Sequence, residues 1–252
     1  YLDALLVRSG FIAAAIPGAG LLLLLVGLGL LVRRGQREID SRASALMETR
    51  RKLESFLSQS AADAARGGGD IPSKRVRLTL FYSDARDFTG YSENNPPERV
   101  VWFLNELMGI QVAAVQAHGG DVDKMIGDAL LARFSGDGAE ARALAAARDV
   151  QSELARANLP RPVGIGIYTG EVISGAVGAA DRRDFTVIGD GVNVSARLCS
   201  AAAAGEIVID GQSLAAADEA DAADFGEEEE ITVKGRREPV RIRRSPASEK
   251  AA

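Results

Sequence analysis

The sequence predicts an α/β (α+β) protein, a mixed sheet with helices packed on one face. Three observations support this. Between residues 76 and 167, β-rich runs and runs of helical period alternate in the order β-α-β-β-α-β. Gly127-Asp128 separates two short apolar runs as a hairpin turn would. Gly67-Gly68-Gly69, followed by Pro72, separates this region from an N-terminal stretch of different composition.

The elements can be justified in chain order. The chain opens at Tyr1 rather than Met, so residues 1–10 are expected to be the end of an upstream region. From Phe11 to Val32 runs a stretch of 22 residues without a charge. As a helix it would extend roughly 33 Å, enough to cross a bilayer core. Arg33, Arg34 and Arg37 follow it directly, which favours a transmembrane helix over a signal peptide and places the following residues in the cytoplasm. Residues 33–70 read as a helical juxtamembrane linker. Ile39, Leu46 and Leu53 fall seven apart, with Ala43 and Leu57 four residues after the first and third. That is a short heptad seam for a parallel coiled coil, interrupted by Arg50, and a solvated amphipathic spacer is the competing reading.

The globular domain is expected at 71–244. Val76–Tyr82 is β-rich. After Pro96-Pro97, a helix start, Val100, Leu104, Leu107, Met108, Val112 and Val115 recur at helical spacing. Strands follow at Asp121–Ile126 and Ala129–Phe134, then a helix at Ala139–Ala157 and a glycine-spaced strand at Val163–Ile167. A strand at Phe185–Ile188 leads into a helix at Val192–Ala201. Strands at Ile207–Ile209, Glu229–Val233 and Val240–Ile242 end the domain, and 245–252 reads as a disordered tail.

Composition excludes several classes. The net charge of −5 and the lack of a basic stripe with interleaved aromatics argue against nucleic-acid binding. One cysteine, Cys199, excludes an intrachain disulfide, and one histidine, His118, excludes multi-histidine and Cys/His zinc sites. Cys199 reads as a small buried filler and His118 as a helix cap. A bound metal must therefore take mainly oxygen ligands. Asp84 at a strand end and Asp128 at a hairpin tip are the candidates, and such a pair suits Mg²⁺ or Mn²⁺.

Three runs carry a resemblance: Tyr82-Ser83-Asp84-Ala85-Arg86-Asp87-Phe88-Thr89, the stretch from Gly119-Gly120-Asp121 through Lys124 and Gly127-Asp128 to Phe134, and the stretch from Phe185-Thr186 through Asn193 to Arg197-Leu198. Together they resemble the signatures of class III nucleotide cyclase catalytic domains over about residues 76 to 243. The resemblance implies a ferredoxin-like, palm-type sheet and conversion of ATP to cyclic AMP by a bacterial, membrane-anchored adenylate cyclase. It implies two divalent metal ions, Mg²⁺ or Mn²⁺, held by Asp84, Asp128 and the carbonyl of Ala85. Arg197 would offset charge at the α-phosphate and Asn193 would orient the ribose. Lys234 would bind phosphate, as would Arg182 or Arg183.

Lys124 and Thr186 match the adenine-reading pair of the lysine/threonine subtype, where guanylate cyclases carry a glutamate at the lysine position. The resemblance further implies a head-to-tail homodimer, with the metal aspartates of one subunit facing the other subunit's Lys124, Thr186, Asn193 and Arg197. Asp87 departs from the pattern, because the family usually has glycine there. The rival readings are a diguanylate cyclase, which Val122-Asp123 after Gly-Gly-Asp argues against, a guanylate cyclase, and a degenerate dimerisation or nucleotide-sensing module.

Overall fold

The computed structural model describes residues 2–54, 57–66, 72–179, 182–217, 222–233, 236 and 238–247, and gives the main chain alone at 2–23, 53, 54, 65 and 182. It divides into two compact units, Tyr1–Phe56 and Leu57–Ala252.

The first unit is a single helix, α1 (Leu2–Glu54), which runs unbroken through the expected membrane span. Its side chains from Leu24 to Val32 are apolar and largely exposed, as are Ile39 and Leu46 of the heptad seam. Further along, Glu38–Arg42 and Glu48–Lys52 ion pairs at i,i+4 support the helix surface. Among the described residues, the one helix long and apolar enough to cross a membrane is Pro97–Ala117. That helix buries Phe103, Leu107 and Val115 in the domain core instead. The side chains of 11–23 lie outside the described residues.

The second unit opens with a departure from the sequence reading, which carries one helix through to residue 66. α1 ends at Glu54 and a separate short helix, α2 (Gln59–Arg66), follows. Capping explains the break. Ser58 Oγ accepts from the Ala61 N–H at 3.2 Å, and the Asp121 carboxylate accepts from the N–H groups of Gln59 and Ser60 at 2.9 and 3.1 Å. These orphan amides would otherwise be unpaired. Leu57, the last position of the heptad seam, therefore falls outside α1, and the triglycine lies outside the described residues.

The domain proper comprises β1 (Lys74–Ala85), α3 (Phe88–Glu93), α4 (Pro97–Ala117), β2 (Asp121–Ile126), β3 (Ala129–Phe134), α5 (Ala139–Ala157), β4 (Val163–Ala179), β5 (Arg182–Ile188), α6 (Asp190–Ala201), β6 (Ile207–Asp210), α7 (Gly211–Ala216), β7 (Glu229–Ile231) and β8 (Val240–Arg244). The sheet order is β2-β3-β1-β4-β6-β8-β7, with β5 paired to β4. Its first four strands, with α4 and α5, form the ferredoxin-like βαββαβ unit. Every pairing is antiparallel except β4 with β6. The strands β1, β4 and β5 run longer than the hydrophobic pattern suggests, because β4 and β5 extend together as an exposed arm whose alternation is weak. Ser245, expected in the disordered tail, pairs with β6: its N–H donates to Ile207 O and its Oγ accepts from Ile207 N–H, both at 2.9 Å.

Alternation along β4 sorts the core into two faces. Val163, Ile165 and Ile167 pack with α4 and α5 around Phe81, Phe103 and Leu144. Gly164, Gly166, Tyr168 and Val172 point the other way, and there the sequence expectation of helices on one face is corrected. α6 lies on this opposite face, with Val194 and Leu198 packed on Val208 and Ile242. Gly166 makes that packing possible, because a Cβ there would sit 2.3 Å from Cys199 N and 2.4 Å from Ser195 O. Both contacts are main-chain atoms of the helix and cannot step aside. Gly166→Ala is expected to displace α6 and lower stability by about 1–3 kcal/mol, as overpacked cores do, read as a lower midpoint in urea unfolding.

Candidate active site

The end of β1 and the β2–β3 turn meet because β1 lies beside β3. Ser83 pairs with Leu130, so the Gly127-Asp128 turn, with Gly127 at φ 64, falls next to Asp84. The two carboxylates face one another. Burial pushes the Asp128 carboxyl above its usual range, the adjacent Asp84 charge pushes it further, and the N–H groups of Asp128 and Ala85 partly offset this. The Tyr82 hydroxyl is also pushed up, first by burial and then by nearby Cys199, Asp84 and Asp128. Mutually repelling carboxylates at a strand end are a donor set that a hard divalent cation would relieve. No group of three or more His, Cys, Asp or Glu side chains that could hold a metal occurs among the described residues. Two carboxylates alone suit an ion that fills its remaining positions with water and substrate phosphate. The residues present fit the implied metal in that form.

Arg86 is a member of this site that sequence reasoning missed. Its guanidinium lies 3.8 Å from Asp84 Oδ2 and donates to the Cys199 carbonyl at 2.8 Å. It rests flat against Gly164, where a Cβ would meet it at 2.2 Å. One side chain thus ties the loop after Asp84 to the last turn of α6. The signal was weak: Arg86 follows Asp84 by two, but it lies in the turn beyond β1, where strand alternation no longer assigns a face.

The second cluster surrounds Asp123. A β-bulge between Val122 and Lys124 re-aims this residue inward, leaving its side chain wholly buried. Thr186 Oγ1 donates to Asp123 Oδ2 at 2.7 Å. Lys124 Nζ lies 3.6 Å from Oδ2, and Arg133 Nη1 lies 3.8 Å from Oδ1. Burial pushes the Asp123 carboxyl up, while the Thr186 hydrogen bond, Arg133 and Lys124 pull it down. Arg133 also pairs with Asp121 at 3.0 Å, so one network runs from the N-terminus of α2 to Lys124 and Thr186. The structure therefore brings Lys124 and Thr186 together, with Asp123 as an unanticipated third member.

Asn193 and Arg197 stand one turn apart on α6, both exposed, and neither side chain makes a hydrogen bond or ion pair with a described residue. Lys234 lies outside the described residues, as does the side chain of Arg182; Arg183 is exposed on β5. Arg236 pairs with Asp190 of α6 at 3.1 Å. Asp87 adopts φ 54 and ψ 37, a left-handed conformation that explains why glycine suits this position and why aspartate, among the residues most tolerant of it, can replace it. Its carboxylate is engaged by Arg161 at 3.1 Å. The main chain of His118 ends α4 as expected, but its ring pairs with Asp149 at 2.7 Å rather than capping. Within one chain, no hydrogen bond or ion pair among the described residues joins the Asp84–Asp128 cluster to the Lys124–Thr186 cluster.

Residues 72–242 match the family model described as "Adenylate and Guanylate cyclase catalytic domain". An adenylate cyclase of Anabaena cylindrica is 41% identical over 134 residues, 48% of this chain and 26% of that protein. The solved adenylyl cyclase CyaB of P. aeruginosa is similar at 29% identity and TM-score 0.63, covering 72% of this chain and 99% of that one. The guanylyl cyclase Cya2 is similar at 31% identity and TM-score 0.60, covering 71% and 95%. The chain spans about two fifths of the length of the first curated relatives it matches.

Cys199 is buried, and its thiol donates to Gly164 O at 3.2 Å. Burial pushes the thiol up to about 12, against the opposing pull of Arg86. The filler role expected from sequence holds, with a hydrogen-bonded thiol. A maleimide at pH 8 is expected to leave the native protein unlabelled and to modify one thiol per chain in denaturant; labelling of the native protein at the denatured rate would contradict this packing.

Proposed function

Because the chain belongs to the adenylate and guanylate cyclase catalytic domain family, we propose that it is an adenylate cyclase, converting ATP to 3′,5′-cyclic AMP and pyrophosphate at the interface of a membrane-anchored homodimer. The observation that carries this reading is the facing pair of carboxylates, Asp84 and Asp128, at the end of β1. In the proposed reaction the ribose 3′-oxygen bonds to the α-phosphorus as the bond to the β-phosphate bridging oxygen breaks. Pyrophosphate leaves, and the hydroxyl proton passes to solvent or substrate phosphate. Divalent ions held by Asp84, Asp128 and the Ala85 carbonyl would acidify the hydroxyl and offset triphosphate charge.

The chain's own groups supply the rest. Lys124 offers an ammonium to N1 of adenine and Thr186 an oxygen to its 6-amino group. Arg197 is a fixed cation for charge growing at the α-phosphate, Asn193 orients the ribose one turn away, and Lys234 holds phosphate. Asn193 and Arg197 project from α6 without a protein partner among the described residues, which supports their completing a site on a second chain. Exposed Met125 and Ile126 on the β2–β3 hairpin and Ile173, Val177 and Ile188 on the β4–β5 arm offer apolar surface for such a dimer. The exposed apolar side chains of Leu24–Val32, followed by three arginines, support the membrane anchor with the catalytic domain in the cytoplasm of a bacterial cell. Similarity to a guanylyl cyclase makes cyclic GMP the second reading; Lys124, where guanylate cyclases carry glutamate, weighs against it.

The test is product formation by the full chain in detergent with Mn²⁺ and either ATP or GTP. Cyclic AMP is expected from ATP, reduced at least about a hundredfold in Asp84→Asn and in Arg197→Ala. A folded, dimeric protein that forms no cyclic nucleotide would contradict the reading.

A further inference from the structure

Thr186 poses a chemical difficulty for an ATP-selective enzyme. A free hydroxyl can donate or accept, so it could serve the 6-amino group of adenine or the 6-oxo group of guanine equally well. The structure removes that freedom. Among the described residues, the groups in reach of Thr186 Oγ1 are Asp123 Oδ2 at 2.7 Å and the Val187 carbonyl at 3.5 Å, and both accept only. The Asp123 side chain is wholly buried, with Lys124 and Arg133 cations 3.6 and 3.8 Å from its two oxygens. Burial pushes this carboxyl up, and the Thr186 hydrogen bond and the two cations pull against that push. Its Oδ1 is buried without a hydrogen-bond partner, and at 2.7 Å the Thr186 hydroxyl is the donor closest to Oδ2, with the Lys124 ammonium farther off at 3.6 Å.

We propose that Asp123 is the positioning residue that sets base selectivity: it accepts the hydrogen bond of the Thr186 hydroxyl, so that Thr186 can present only lone pairs to the purine, and it holds Lys124 beside that hydroxyl. The base then meets an acceptor opposite its 6-position and a donor opposite N1. Adenine matches both. Guanine, with its 6-oxo group and N1–H, mismatches both. This inference rests on the nucleotide cyclase reading above. The bulge at Val122–Lys124 has a purpose on this account, since a regular strand would alternate sides and could not bury Asp123 against Thr186 while keeping Lys124 beside it.

The experiment compares kcat and KM of the full chain with ATP and with GTP in wild type, Thr186→Val, Asp123→Ala and the double variant, each checked by thermal melting. An acceptor-only Thr186 repels guanine, so Thr186→Val is expected to lower kcat/KM for ATP while that for GTP holds or rises. If the hydroxyl rotated freely, both would fall together, and that outcome overturns the proposal. Asp123→Ala frees the hydroxyl to donate. It is expected to lower the ATP-to-GTP ratio of kcat/KM by about tenfold or more, mainly through KM, with no further change in the Thr186→Val background. Parallel loss with both nucleotides, leaving the ratio unchanged, would mark a merely structural residue and overturn the proposal. Should Asp123→Ala fail to fold, the direction of the GTP response in the isosteric Thr186→Val variant decides alone. Failure of the parent reading shows separately, as a wild type that cyclises neither nucleotide. A wild type that prefers GTP overturns the inference while leaving a cyclase.

Discussion

The site depends on the position of β1 between two antiparallel neighbours. Twelve residue pairs fix it to β4, from Lys74 opposite Ser174 to Ala85 opposite Val163, and five more fix it to β3. A slip of one residue would turn Asp84 to the other face of the sheet. In the observed register Asp84 ends beside the β2–β3 turn and faces Asp128, although the two like charges oppose the approach. Cross-strand pairing and the buried core beneath, with Phe81 and Leu130 fully enclosed, outweigh that repulsion. The repulsion that remains is chemically useful, because a bound cation would lower it.

Two arginines turn this frame into a connected site. Arg86 lies in the groove left by Gly164 and joins the Asp84 loop to the end of α6, so the carboxylates and the helix bearing Arg197 cannot move independently. Arg133 sits between Asp121 and Asp123 and so joins the cap of α2 to the cluster around Thr186. A displacement of α2 would act on Asp121 first and on the Asp123 network next. The arrangement thus carries a physical link from the segment entering the domain to Lys124 and Thr186, the residues proposed to read the base.

Much of this was legible in the sequence, for reasons that differ by element. The β2–β3 hairpin and α5 were found at their observed ends because Gly127-Asp128 marks the turn and the apolar spacing of Ala139–Ala157 is regular. Asp84 and Asp128 stood out as carboxylates at a strand end and a hairpin tip, while Lys124 and Thr186 were singled out by the family resemblance alone. Three features were not legible. The side of the sheet taken by α6 depends on Gly166, whose meaning as a landing surface appears only when the helix is in place. The break before α2 depends on Asp121, some 60 residues away in sequence, which no local propensity reports. Asp123 read as an ordinary strand residue because its burial comes from a bulge, and bulges leave little trace in alternation.

The central claim is that each chain carries two half-sites that are completed only by a second copy. The most direct measurement uses a heterodimer of Asp84→Asn and Arg197→Ala chains, isolated through different tags, with ATP and Mn²⁺. If the metal carboxylates of one chain serve the Arg197 of the other, one of the two sites in that heterodimer is intact. Its activity should then reach about half that of wild type, although each homodimer alone is nearly inactive. A heterodimer no more active than either homodimer would contradict the account and return both functions to a single chain.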